Sequence, residues 1–114
     1  MFRFDAAQFG GGLRRAQFMK AMTAEGVPCS SGYTPLNKEG FLKDVLASKA
    51  YQRVYPAKVL SQWEERNRCP ANDRLCEEAI WLTHPMLLGP RPSMDDIANA
   101  VRKIQAHAGE IAKI

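Results

Sequence analysis

Residues 93–111 read SMDDIANAVRKIQAHAGEI, and this stretch decides the fold. Ile97, Ala100, Val101, Ile104, Ala108 and Ile111 recur at the spacing that puts apolar side chains on one face of an α-helix. Ser93-Met94-Asp95-Asp96 opens the stretch as a variant of the capping box, with acidic side chains at the positive end of the helix dipole. A helix with one apolar face needs a second layer to cover it, and the rest of the chain predicts a small sheet for that purpose.

Outward from this helix, Ala79-Ile80-Trp81-Leu82-Thr83-His84 is the strongest strand, with Pro85 stopping regular pairing at its end. Phe2 and Phe4 flank Arg3 in the alternation of a short strand with one buried face. The strand begins so close to Met1 that the chain reads as cut from something longer. Gly10-Gly11-Gly12 marks a turn before a helix from Leu13 to Glu25, whose stripe is Phe18, Ala21, Met22 and Glu25 and whose C-cap is Gly26. Val27 to Tyr33 reads as a third short strand, and Asn37 as the cap of a helix from Lys38 to about Ser48 with Phe41, Leu42 and Val45 on its apolar face. Residues 50–68 read as a loop with one short helical turn. Pro70 suits the first turn of a helix through about Glu78. The sum is an α+β fold, a small two-layer sandwich of about three short strands covered by helices.

With 114 residues, 46% of them hydrophobic, the chain supports a single domain spanning 1–114. Its longest apolar runs, such as Ala79 to Leu82, fall far short of the roughly 20 residues that cross a bilayer, so no membrane association is expected. The N-terminus has no apolar segment followed by a cleavage site, which predicts a cytoplasmic protein. Cys29, Cys69 and Cys76 are an odd number at irregular spacing and read as reduced thiols. The net charge of +4 arises from cations interspersed with acids, without a run of like charge, so nucleic-acid binding is not expected.

Few residues offer chemistry by themselves. The glycine triplet before Arg14 and Arg15 has the ingredients of a phosphate cradle but lacks the spacing of a dinucleotide fingerprint or a following Gly-Lys-Ser/Thr, and reads as a turn. The cysteines with His84 and His107 show no metal-ligand spacing. Ser30, Ser31 and Cys29 have no neighbouring histidine and carboxylate in sequence, so no catalytic residue is assigned. Glu64-Glu65 and Glu77-Glu78 are adjacent carboxylates that diverge on a helix and face solvent. Trp63, Trp81 and the tyrosines suit packing in a core or an interface.

A series of short motifs says more. Ala24-Glu25-Gly26-Val27-Pro28-Cys29, Gly32-Tyr33-Thr34-Pro35-Leu36-Asn37, Cys69-Pro70 through Arg74-Leu75-Cys76, Ala79-Ile80-Trp81-Leu82, Leu87-Leu88-Gly89 and Asp95 through Ile104 succeed one another in a known order. The series resembles the C-terminal part of the DegT/DnrJ/StrS family of pyridoxal-phosphate-dependent sugar aminotransferases, nearest the branch of aminocyclitol and 3-amino-5-hydroxybenzoate synthases. The resemblance implies the C-terminal small domain of a fold type I aminotransferase, which closes over the substrate cleft of a homodimer. The Schiff-base lysine and most cofactor contacts belong to a large domain that this chain lacks. No lysine here has the family's following Gly-Glu-Gly-type turn, so no cofactor is expected in this chain and pyridoxal phosphate is expected only in the parent enzyme. The isolated chain is therefore expected to be inactive.

The family's His-Tyr-x-Pro-Leu-His turn matches Gly32 to Asn37, with Tyr33 on the motif's tyrosine and both histidines replaced. Tyr33 and Asn37 are the implied substrate-binding residues. Asn37 can donate and accept hydrogen bonds but cannot titrate near neutral pH as imidazole does. The implied partners are a second copy or the large domain, and a keto-sugar or keto-cyclitol in the full-length enzyme. The competing expectation is a stand-alone interaction module that kept the fold and lost the chemistry, docking through residues 50–68.

Overall fold

The computed structural model describes residues 1–114. In chain order the elements are β1 (Phe2–Arg3), α1 (Ala6–Phe9), α2 (Arg15–Ala24), a 3-10 turn (Leu36–Lys38), α3 (Gly40–Ala47), α4 (Lys49–Val54), α5 (Ala57–Ser61), α6 (Trp63–Arg66), α7 (Pro70–Glu78), β2 (Ala79–Ile80), α8 (His84–Leu87), α9 (Arg91–Ala106) and α10 (Ala108–Ile111). The protein is α+β and mostly helical, with a two-stranded antiparallel sheet in which Phe2 faces Ile80 and Arg3 faces Ala79. Two compact units divide it: residues 1–32 with 78–114, and residues 33–77.

The first unit holds the core. Phe18, Met22, Leu13 and Ile80 are fully buried, and Phe4, Val27, Ala100, Ile104 and Ala108 join them. The Phe18 ring meets Phe4 and Phe9 at centroid distances of 5.2 and 5.0 Å, and Phe2 edge-on at 6.3 Å. Helix α2 starts with Gln17 accepting from the Arg14 backbone N–H at 3.1 Å. It ends where Gly26 takes φ +82°, with its N–H on the Thr23 carbonyl and the Val27 N–H on the Met22 carbonyl at 2.9 Å, the two bonds of a Schellman cap. Of the stripe read from the sequence, Phe18 and Met22 are buried and Ala21 packs against the core, whereas Glu25 is exposed and pairs with Lys103 at 2.8 Å.

Three expectations about this unit are corrected. Residues 27–33 do not form a strand; a single bridge joins Ser30 to Trp81, because Pro28 has no N–H and Gly26 and Gly32 bend the chain on either side with positive φ. The sheet thus has two strands, and the expected three-strand layer is not formed. Ala79 to His84 pairs only as far as Ile80, with the Trp81 bridge beyond it, and His84 already belongs to α8. Helix α9 starts at Arg91 instead of Ser93: Pro92 occupies the first turn, where no N–H is needed, and Ser93 donates its backbone N–H to the Pro90 carbonyl at 3.0 Å. Its apolar face packs chiefly on α2, since two strands of two residues offer little surface to cover it.

The second unit is built differently. No residue from 33 to 77 is fully buried; of the expected apolar face of residues 38–48, Phe41 is 59% exposed while Leu42 and Val45 are half-buried. Local bonds shape it. Residues 50–68, expected as a loop, form helices: Ser48 accepts from the Tyr51 N–H to cap α4, the Tyr51 and Tyr55 rings lie 5.5 Å apart one turn on, and Pro56 leads into α5. Pro70 does open α7, as its fixed φ suits.

Candidate functional site

Asn37 was expected to cap the following helix. It does not: it lies inside the 3-10 turn, and the next helix has Glu39 at its N-cap without a side-chain bond. Its amide Nδ2 instead donates to the Asn67 carbonyl at 2.8 Å, and Asn67 Nδ2 donates to the Trp63 carbonyl at 2.8 Å, tying the turn to the end of α6. That fixes the Asn37 side chain with Oδ1 left as its unused acceptor.

Beside it opens a cavity of about 540 Å³ lined by Asn37, Lys38, Glu64, Glu65, Arg68 and Asp73, with Pro70 at its edge. Lys38 Nζ meets Asp73 Oδ2 at 2.8 Å. The hydrogen bond to Asp73 raises the Lys38 pKa above the ordinary lysine value, with the charges of Asp73 and Glu77 acting in the same sense and partial desolvation and Arg68 opposing them. Asp73 sits in the first turn of α7, where the positive helix end favours a carboxylate. Its second oxygen, Oδ1, is buried with no hydrogen-bond partner. Arg68 is paired to Glu65 at 3.2 Å, which leaves Glu64 without an ion pair.

Of the two residues expected to bind substrate, only Asn37 lines this cavity; Tyr33 is 73% exposed and is not part of the wall. Sequence reasoning assigned Glu64 and Glu65 to solvent, where they are exposed, and did not single out Lys38 in the 3-10 turn, Arg68 between α6 and α7, or Asp73 on α7, which line the same cavity. The proline at 70 was the one signal available, since it fixes the start of α7 and so places Asp73 in its first turn.

Other candidates resolve structurally. None of the cysteines is in a disulfide, and burial pushes the Cys29 thiol up, away from nucleophilic use. No cluster of His, Cys, Asp or Glu is arranged to hold a metal ion. In the glycine triplet, a Cβ on Gly11 would lie 2.7 Å from the Gly109 Cα, so this glycine serves close backbone packing. A Cβ on Gly32, where the resembled turn has histidine, would overlap the Trp81 indole.

Comparison with known proteins agrees with the motif series. Over 107 residues the chain is 33% identical to L-glutamine:2-deoxy-scyllo-inosose aminotransferase of Streptoalloteichus tenebrarius, covering 88% of this chain and 23% of that protein. The chain is similar to aminocyclitol aminotransferases. It is also 26% identical over 108 residues to a second protein of that organism, named "Putative L-glutamine:3-amino-2,3-dideoxy-scyllo-inosose aminotransferase", covering 92% of this chain and 25% of that one. A protein of the same name from Streptomyces kanamyceticus is 29% identical over 120 residues, covering 97% of this chain and 26% of that protein. The chain thus spans about a quarter of the length of these relatives. No family model and no solved structure matches it.

Every lysine is exposed, and Lys38, whose pKa is shifted, is held more firmly in its protonated form, the reverse of what a Schiff-base lysine needs. No helix is long and apolar enough to cross a membrane.

Proposed function

We propose that these residues form the C-terminal small domain of a DegT/DnrJ/StrS-type, pyridoxal-phosphate-dependent aminotransferase acting on a keto-cyclitol. In this reading the cofactor-holding lysine lies outside the 114 residues, and the domain supplies walls of the substrate cleft and contacts within a cytoplasmic homodimer. The observation that carries it is the similarity to aminocyclitol aminotransferases over most of the chain together with its span of about a quarter of theirs. The names of those relatives cover two acceptors, an amino-free and an amino-bearing scyllo-inosose, and either class suits the reading.

The chain's own residues then have positional roles. Asn37, whose Nδ2 donates to the Asn67 carbonyl, offers Oδ1 to a hydroxyl of the ring, and Tyr33, exposed on the same segment outside the cavity wall, contacts the cyclitol only from the open side. The test is kinetic: in the longer protein carrying these residues, Asn37→Ala and Tyr33→Phe lower turnover of L-glutamine with keto-cyclitol. Unchanged kinetics in both variants removes the turn from the site.

A second reading has its own observation. Leu36, Phe41, Tyr51, Val54 and Tyr55 are exposed in a unit with no fully buried residue, which suits a surface that another protein covers. A stand-alone interaction module would use it without any amino transfer, and absence of transaminase activity in the longer protein would favour that alternative.

A further inference from the structure

Residues 33–77 lack what ordinarily holds helices together in water. The first unit buries Phe18, Met22, Leu13 and Ile80 completely, whereas the second buries no residue completely and every residue from 49 to 59, including all of α4, is exposed. Intrinsic helix preference does not make up the difference. The longest helix beginning in this unit, α7, has 9 residues, and isolated helices shorter than about 12–15 residues are marginal in water. Packing is loose as well: clefts of about 300 and 230 Å³ lie against Trp63, in addition to the cavity of about 540 Å³ beside Asn37. Two polar ties reach across the unit from adjacent residues of one turn, Asn37 Nδ2 to the Asn67 carbonyl and Lys38 Nζ to Asp73.

We infer that residues 33–77 are a flap that unfolds and refolds as one body while the first unit stays folded, and that the turn at 36–38 is its clasp. The first unit does not need the flap to join its own two segments. Ser30 and Trp81 exchange backbone bonds at 3.1 and 2.8 Å, and the Phe4 N–H donates to the Glu78 carbonyl at 2.7 Å, all without a residue from 33 to 77. The result is a gate that works by order and disorder. Asn37 is both part of the clasp and the residue implied to meet substrate, so only the closed flap presents it, and an apparent affinity is reduced by the closed fraction. That consequence for substrate rests on the aminotransferase reading above; the opening of the flap does not.

The test is native-state hydrogen exchange of the 114-residue chain, read by NMR at rising urea concentrations below the unfolding midpoint. The amides of Tyr55, Leu60 and Asn67, each hydrogen-bonded inside the flap, should exchange at least about a hundredfold faster, relative to their intrinsic rates, than those of Met22 and Ile104 on the buried faces of α2 and α9. They should also share one urea dependence of their own. Asn37→Ala combined with Lys38→Gln should speed the flap amides about tenfold further and leave Met22 and Ile104 unmoved, whereas Phe18→Leu should speed only the latter pair. A single opening shared by both units, flap amides without protection in the absence of urea, or flap exchange indifferent to the clasp variant overturns the inference. Absent amino transfer by the longer protein would sink the aminotransferase reading alone and leave the exchange result standing.

Discussion

Replacing Phe18 by alanine should come near to unfolding the first unit. Phe18 is fully buried, and its ring touches Phe4, Phe9 and Phe2 at centroid distances of 5.2, 5.0 and 6.3 Å. Truncating a buried phenylalanine costs about 3–5 kcal/mol in lost transfer energy and cavity. Part of the loss is specific to the rings, since well-placed aromatic pairs contribute about 0.5–1.5 kcal/mol beyond their area. The neighbours cannot close the space easily, because Met22, Ile80 and Ile104 are themselves committed to the same core. A stability of roughly 0.05–0.15 kcal/mol per residue puts the whole chain near 5–15 kcal/mol, so this one change removes a large share. Urea unfolding should be followed in a Trp63→Phe background, where Trp81 reports on the first unit alone. A Phe18→Leu control, which keeps most of the volume, should cost well under half as much. A loss below about 1 kcal/mol for Phe18→Ala would mean that the aromatic cluster does not hold this unit together.

Gly32→Ala should cost more than Gly26→Ala, because both positions have positive φ but only Gly32 would press a Cβ against the Trp81 ring; comparing the two unfolding midpoints decides it. Asn37→Ala should destabilise the second unit by about 1 kcal/mol by leaving the Asn67 carbonyl with only the weak Cys69 Sγ donor, read from Trp63 fluorescence in a Trp81→Phe background. The Lys38 ion pair makes a pH-dependent contribution of definite sign. The folded pKa is raised, so the stabilisation is complete below the ordinary lysine value and is lost as pH climbs through the raised one. In Asp73→Asn the Lys38 Nζ titration should move back toward that ordinary value, and an unmoved titration would remove the pair as the cause. Mixing the chain with pyridoxal phosphate should give no saturable absorbance change assigned to a single lysine; stoichiometric formation at one position would overturn the reading that the cofactor is gripped elsewhere.

What the sequence determined by itself was the set of elements that bury a stripe or carry a terminal signal. Helix α2 was legible because Phe18 and Met22 repeat at helical spacing and Gly26 stops it, and both side chains proved to be core. Helix α7 was legible from Pro70, and the resemblance to aminotransferases was legible from the order of short motifs. Residues 50–68 were not legible, because helices that bury no side chain leave no periodic apolar stripe, and their stability comes from Ser48, Pro56 and other local contacts. Only the tertiary structure decided that residues 27–33 contribute a single bridge, since a strand needs a partner with free N–H and C=O groups along its length and Pro28 and the bends at Gly26 and Gly32 deny one. The charged cavity also belongs to the tertiary level. Lys38 and Asp73 are far apart in sequence and unremarkable as letters; once α7 sets Asp73 against the turn at 36–38, Coulomb attraction pairs them at 2.8 Å.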